Sequence, residues 1–362
     1  MSKNKTILLF LGLYPAKTGG MEVYNYRLWQ RLSKEENIFL LSLSKVDSPN
    51  AIQVTDRMFG MRRWGLGYLS VFLYCLFSPK VKMREWNTVM IPYTSNFGLD
   101  AWPVMLFSKI FGFKYVLHCH GGGIKEWQYK KLQVSLFRHA DKVAAVSHKI
   151  TEEYLLRTGR PLQYLPPLVE FQNVDLTKEE LRKKYGLENF STVVLYVGSL
   201  KPLKSPGTLL KAFKLLQNGD TALVLAGDGE LRKNLQRQYE SEQIQFLGNV
   251  PNNKVSCLFA MSDIYVIPSW YEGTSVSLLE AMSKGLCCIG TNVMGINDMI
   301  VDRVNGLLFP KNDYTTLSSH LKFVIQDNRL AHELGAAAIK SYQNNYNYTK
   351  HISEILKFLN YA

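Results

Sequence analysis

Two carboxylates, Glu272 and Glu280, stand with seven residues between them in the stretch Pro268-Ser-Trp-Tyr-Glu-Gly-Thr-Ser-Val-Ser-Leu-Leu-Glu-Ala-Met282. Ile264–Ile267, just before it, is a short β-branched and aromatic run that reads as a buried parallel strand. Gly273, Thr274 and Ser275 form a tight turn into a helix that carries Leu278, Leu279 and Met282 inward. Strand, small-residue turn and helix present free backbone N–H groups and a positive dipole end to a phosphate. Glu272 falls at the turn and Glu280 about two helical turns further on, so both can face one crevice. Carboxylates accept hydrogen bonds from hydroxyls, which suits a sugar or a ribose. A plain helix start with Glu272 as the first-turn acid explains these residues equally well when they are taken alone.

Other stations have similar placing. Gly198-Ser-Leu-Lys-Pro-Leu-Lys-Ser205 follows the strand Thr192–Val197 and offers Ser199, Lys201 and Lys204, with a solvated loop lysine as the plain reading of Lys204. Gly227 lies in Ala226-Gly-Asp-Gly229, and Gly248-Asn249-Val250 follows Ile244–Leu247; both glycine turns lie at strand ends. Gly19 and Gly20 follow the first strand, Thr6–Leu11, and allow close backbone approach, although an ordinary βα turn explains them too. They are not a G-x-G-x-x-G fingerprint, so a dinucleotide site is not expected there. His118 and His120 alternate along the strand Tyr115–Cys119 and share one sheet face at its glycine-rich end. A paired-histidine metal site lacks a visible third ligand, and a satisfied structural histidine is the plain reading of His118.

These stations must be carried by alternating strands and helices. The chain has 362 residues, enough for two domains, and 46% hydrophobic content, enough for real cores. A Pro-rich linker over 159–170 divides it. The reading is two doubly wound α/β domains facing across a cleft: 1–165 with a last helix at about 346–362 crossing back to it, and 166–345. Five cysteines without C-x-x-C spacing favour a reducing compartment. Met1–Lys5 and the short apolar run after it read as a first strand rather than a signal peptide, and no run reaches the ~20 apolar residues of a membrane span. Residues 1–165 hold 23 Lys and Arg against 11 Asp and Glu, and the remainder holds 20 against 19. That asymmetry points to an anionic partner for the first half, a membrane surface or lipid diphosphate; no nucleic-acid motif is present. Arg62, Arg63 and Trp64 suit an interfacial contact, while Val71–Phe77 reads as a buried helix segment.

The pattern P-S-x-x-E-G-x-x-x-x-x-L-E-A-M resembles the donor-site signature of retaining glycosyltransferases of family 4, which have the GT-B architecture. Tracts from Gly19 to about Pro310 follow the family's order. The resemblance implies a hexosyltransferase that uses a nucleotide-diphospho-sugar. Glu280 would bind the ribose and Glu272 the sugar, and the backbone of Gly273, Thr274, Ser275 and Val276 would meet the phosphates. Lys204 would stabilise the leaving diphosphate, and His120 would sit by the acceptor or the sugar. Gly227, Gly248, Asn249 and Val250 would shape the nucleotide pocket, and Gly19 and Gly20 would approach the phosphates. No D-x-D triplet is present, which agrees with a site that needs no metal or cofactor. The implied partner is a saccharide or polyprenyl-diphosphate-linked acceptor in bacterial-type surface polysaccharide or glycolipid synthesis, on the cytoplasmic side and at the membrane periphery.

The chain departs from the family where G-R-L-x-x-x-K-G is expected: Ser199 replaces the Arg and Ser205 the Gly. Lys201 could restore charge, though as a point charge without the guanidinium fork. Ser199 therefore keeps a non-catalytic sugar-nucleotide or glycan-binding protein open as an alternative. An epimerase or another enzyme of the same architecture is the second alternative.

Overall fold

The computed structural model describes residues 4–10, 20–42, 46–54, 67–78, 81–93, 102–120, 130–165, 174–272, 274–346 and 348–359. The chain divides into two compact units, Met1–Leu168 with Tyr348–Ala362, and Val169–Asn347.

The first unit holds the strands β1 (Lys5–Phe10), β2 (Ile38–Ser42), β3 (Ala51–Gln53), β4 (Trp86–Tyr93), β5 (Lys114–Cys119), β6 (Lys142–Ala145) and β7 (Gln163–Tyr164). They pair in the order β3-β2-β1-β4-β5-β6-β7, and every pairing is parallel. β1 is apolar on both sides because both faces of the sheet are covered. Ile7 and Leu9 join the core beneath α2 (Gly67–Phe77), α3 (Trp102–Phe111), α4 (Lys130–His139) and α5 (His148–Thr158). Leu8 and Phe10 join the opposite core, beneath α1 (Gly20–Leu32) and the last helix, α13 (Tyr348–Phe358). The return of the last helix to the first sheet is as expected.

α1 turns Tyr24, Leu28, Trp29 and Leu32 into the core, with Tyr26 at its margin. Local readings shift in two places. Val71, Phe72 and Cys75 are buried, but Leu76 and Phe77 are 45% and 72% exposed. β7 occupies part of the stretch read as linker; two residues carry too little periodicity to announce a strand. Arg62, Arg63, Trp64 and Gly121–Gly123 lie outside the described residues.

The second unit repeats the winding with β8 (Thr192–Val197), β9 (Thr221–Ala226), β10 (Ile244–Gly248), β11 (Ile264–Ile267), β12 (Cys287–Thr291) and β13 (Leu307–Phe309). Their order is β10-β9-β8-β11-β12-β13, again parallel throughout. The helices are α6 (Lys178–Lys184), α7 (Pro206–Lys214), α8 (Arg232–Tyr239), α9 (Asn252–Met261), α10 (Val276–Ser283), α11 (Tyr314–Gln326) and α12 (Asn328–Asn345). The chain winds outward from β8 in one direction and from β11 in the other. A crevice at such a reversal, outside the carboxyl ends of the strands, is where doubly wound sheets bind ligands. Among the described residues no helix is long and apolar enough to cross a membrane.

Candidate functional site

The reversal in the second unit lies between β8 and β11, and the loops leaving these two strands carry the charged residues singled out above. After β8, Lys204 closes a short 3-10 turn, Pro202–Lys204. After β11, Pro268 ends the strand and Ser269 is buried. The backbone N–H of Trp270 donates to the carbonyl of Leu203 at 2.9 Å, which ties the loops together. Lys204 Nζ then reaches Glu272 Oε1 at 2.6 Å, and Ser269 Oγ donates to the same oxygen at 2.7 Å. The Glu272 N–H donates to the carbonyl of Met294 at 3.3 Å, joining the loop beyond β12. The two side chains are 28% and 12% exposed, so the pair is held by protein on most sides and open on one.

The start of α10 rests on a chain of hydroxyls. Ser275 caps the helix, its Oγ accepting from the N–H of Leu278 at 3.3 Å. Ser275 Oγ lies 3.1 Å from Ser277 Oγ, which accepts from the buried phenol of Tyr265 at 2.7 Å. On β8 the phenol of Tyr196 donates to the carbonyl of Ser199 at 2.9 Å. Burial, with the Glu272 carboxylate adding to it, pushes both phenols above their ordinary range, so they stay neutral donors. Thr274 precedes the cap and Val276 opens the helix. Glu280 is the fifth residue of α10, about one helical turn from its start rather than two turns beyond Glu272, because the chain up to Ser275 is not helical. Gly273 lies outside the described residues.

The loops after β8, β9 and β10 meet backbone to backbone. A Cβ at Gly227 would stand 1.8 Å from the carbonyl oxygen of Gly198, and one at Gly229 would stand 2.4 Å from that of Leu200. Gly227 N–H donates to the carbonyl of Gly248 at 2.7 Å. Gly248 has φ +69°, and the Arg232 guanidinium occupies the place where a side chain would go, 2.7 Å from the Cβ position. Arg232 also pairs with Asp228 at 3.2 Å. Asn249 is exposed and Val250 half-buried just beyond. Ser199 is half-buried, and Lys201 is exposed with no ion pair among the described residues.

In the first unit, His118 and His120 do share one face, and a residue the sequence reading passed over joins them. The Tyr24 ring, from α1, lies 5.4 Å from the His118 ring and 4.4 Å from the His120 ring. His118 lies 3.1 Å from both Tyr24 Oη and the carbonyl oxygen of Leu165. His120 Nε2 is buried without a hydrogen-bond partner among the described residues. Burial lowers both imidazole pKa values, His118 to about 4 and His120 well below its usual range, with His118 adding to the effect on His120. Gly20 is the first residue of α1, while Gly19 lies outside the described residues. Among the described residues no three His, Cys, Asp or Glu side chains gather as a metal would require.

Residues 177–341 match the profile of the family described as Glycosyl transferases group 1. The likeness to this family covers that stretch, which is most of the second unit. It is 30% identical over 229 residues to the N-acetyl-alpha-D-glucosaminyl L-malate synthase of Bacillus anthracis, a match over 59% of this chain and 58% of the relative. It is 30% identical over 193 residues to the UDP-Gal:alpha-D-GlcNAc-diphosphoundecaprenol alpha-1,3-galactosyltransferase of Escherichia coli, over 50% of this chain and 48% of the relative. The chain thus spans about half the length of these curated relatives. The crystal structure of Anabaena Alr3699/HepE in complex with UDP and glucose superposes with a TM-score of 0.79 at 17% identity, covering 99% of this chain and 100% of that one. That likeness establishes the shared GT-B fold.

The group 1 match spans β8 to β13 and therefore takes in Lys204, Glu272 and Glu280. The structure adds Ser269, which holds Glu272, and Trp270, which lies under Lys311 Nζ at 4.7 Å. Ser269 was within reach of the sequence, as a hydroxyl three residues before the carboxylate. Lys311 was not, since only the fold brings the loop after β13 beside the one after β11.

Proposed function

We propose that the chain is a retaining glycosyltransferase that moves a hexosyl group from a nucleotide-diphospho-sugar to a saccharide or polyprenyl-diphosphate-linked acceptor. The observation that carries this reading is the Lys204–Glu272 pair at the strand reversal, 2.6 Å long, beside the N-terminus of α10. In glycosyl transfer from such a donor the diphosphate leaves with growing negative charge. A fixed ammonium and the free N–H groups at a helix start are suited to meet that charge. Lys204 takes the leaving phosphates together with the backbone of Thr274, Ser275 and Val276. Glu272, anchored by Ser269, accepts from sugar hydroxyls, and Glu280 from the ribose. The glycine turns at Gly227 and Gly248, packed against the Gly198 carbonyl and the Arg232 guanidinium, draw the strand-end loops together to shape the nucleotide pocket. His120, neutral with an unfilled ring nitrogen, attends the sugar or acceptor hydroxyl. The Escherichia coli relative, named for a UDP-galactose donor and a diphosphoundecaprenol-linked acceptor, supports a UDP-sugar donor and a lipid-linked acceptor. No metal is required in this scheme.

The test is nucleotide release from a panel of UDP-, GDP-, ADP- and CMP-sugars, with and without a chelator. One donor should bind and release its nucleotide slowly, chelator or not. Lys204→Met and Glu272→Gln should lower turnover by about 10²–10³-fold. Failure of every donor to bind would remove the donor-site assignment. Ser199, where the family has Arg, favours a second reading, a sugar-nucleotide-binding protein without turnover. Binding without release in the presence of lipid-linked and saccharide acceptors would select it.

A further inference from the structure

In the proposed donor site the cation of Lys204 is already balanced. Its Nζ lies 2.6 Å from Glu272 Oε1, so the pair meets an arriving diphosphate with little net charge. A diphosphate carries more negative charge than such a pair can offset, and more develops as it leaves. Ser199 stands where the resemblance expects an Arg to help. A second cation has to come from elsewhere in the loops.

Two lysines are candidates. Lys201 is exposed and lies toward the loop after β9. Leu200, just before it, donates its N–H to the carbonyl of Asp228 at 2.9 Å and accepts from the N–H of Leu231 at 3.0 Å. No ring or carboxylate holds the Lys201 ammonium among the described residues. Lys311, in the loop after β13, is held: its Nζ lies over the Trp270 ring at 4.7 Å. Trp270 is bonded through its backbone N–H to the carbonyl of Leu203, next to Lys204, and stands two residues before Glu272. The ring therefore keeps Lys311 beside the two loops that carry the Lys204–Glu272 pair. An aromatic face attracts an ammonium through its quadrupole and leaves the charge intact, whereas a carboxylate cancels it. Lys311 forms no ion pair among the described residues. The acid nearest to it in sequence, Asp313, is engaged by the start of α11, accepting from the N–H groups and hydroxyls of Thr315 and Thr316.

We propose that Lys311 is the second cation for the donor's diphosphate, in place of the Arg expected at 199, and that Trp270 positions it. The inference rests on the nucleotide-sugar reading above and adds to it a residue from outside the turn that follows β8.

Calorimetric titration of the full chain with UDP and UMP tests it, with GDP, GMP, ADP and AMP titrated alongside to cover the other bases. Lys311→Met should weaken the diphosphate about tenfold, the scale of one hydrogen bond to a charged group, and the monophosphate by no more than about threefold. Lys311→Arg should bind as the unaltered chain does, and so should Trp270→Phe, which keeps an aromatic face. Trp270→Leu should follow Lys311→Met. Ser199→Arg should recover most of the loss in the Lys311→Met chain and add little to the unaltered one. Lys311 is exposed, so its variants should unfold at the same temperature as the unaltered chain. Unchanged diphosphate binding by Lys311→Met would overturn the inference and leave the donor site standing. So would an equal loss for the monophosphate, or an equal gain from Ser199→Arg in both chains. Failure of every nucleotide to bind the unaltered chain would remove the donor-site reading itself, and this inference with it.

Discussion

His118 has both ring nitrogens committed. The Leu165 carbonyl can only accept, so Nε2 carries the proton, and Nδ1 accepts from the phenol of Tyr24. That arrangement requires a neutral ring, and burial agrees by lowering its pKa to about 4. An unfolded histidine titrates near 6.5. Between these values the unfolded chain binds a proton that the folded chain refuses, so folding is favoured above about 6.5 and loses stability as pH falls toward 4. Denaturant midpoints measured across that window should drop with pH, and the drop should shrink in a His118→Asn variant. An undiminished drop in that variant would assign the effect to other groups, His120 first among them.

At the scale of elements, Ser205 joins the turn that carries Lys204 to α7. Its φ of 47° and ψ of 45° are left-handed, a conformation that costs an L-residue about 1–2 kcal/mol. Its hydroxyl lies 2.8 Å from that of Thr208, which offsets part of the cost. Ser205→Ala removes the hydroxyl and keeps the strain, whereas Ser205→Gly relieves the strain. The glycine protein should therefore be the more stable of the two, by about 1 kcal/mol in chemical denaturation. Equal stability would mean that the junction relaxes and that the turn is not constrained.

The same junction shows how far the sequence could be read. The mismatch of Ser205 with a family glycine was legible, and so were the strands on either side, because buried parallel strands are continuous apolar runs. The Glu272–Glu280 spacing and the glycine turns were legible for the same local reason. Tyr24 beside His118, 94 residues away, was not, nor was Lys311 over Trp270. Such partners are set by strand order, and local periodicity carries no record of it. The exposed end of α2 was hidden likewise: an apolar run does not say which of its residues a neighbouring element covers.

At the scale of the whole molecule, the chain closes the first unit only after building the second. α13 sets Ile352, Ile355, Phe358 and Leu359 into the core formed with Tyr24, Leu28 and Trp29 of α1. Lys142 at the start of β6 secures its end, with Nζ donating to the carbonyls of Phe358 at 3.0 Å and Lys357 at 3.2 Å. Positively charged groups are favoured at a helix C-terminus, and here the cation also satisfies carbonyls that have no helical partner. Ile355 is fully buried, so Ile355→Ala removes apolar contact and leaves a cavity, at a cost of roughly 2–5 kcal/mol. Amide hydrogen exchange read by mass spectrometry locates that loss. Exchange in β1, β4 and β5 should accelerate by about tenfold or more, with peptides of β8 and β11 as the internal reference. Unchanged protection in β1 would mean that the core of the first unit holds without α13, and that the last helix is an appendage rather than a part of it.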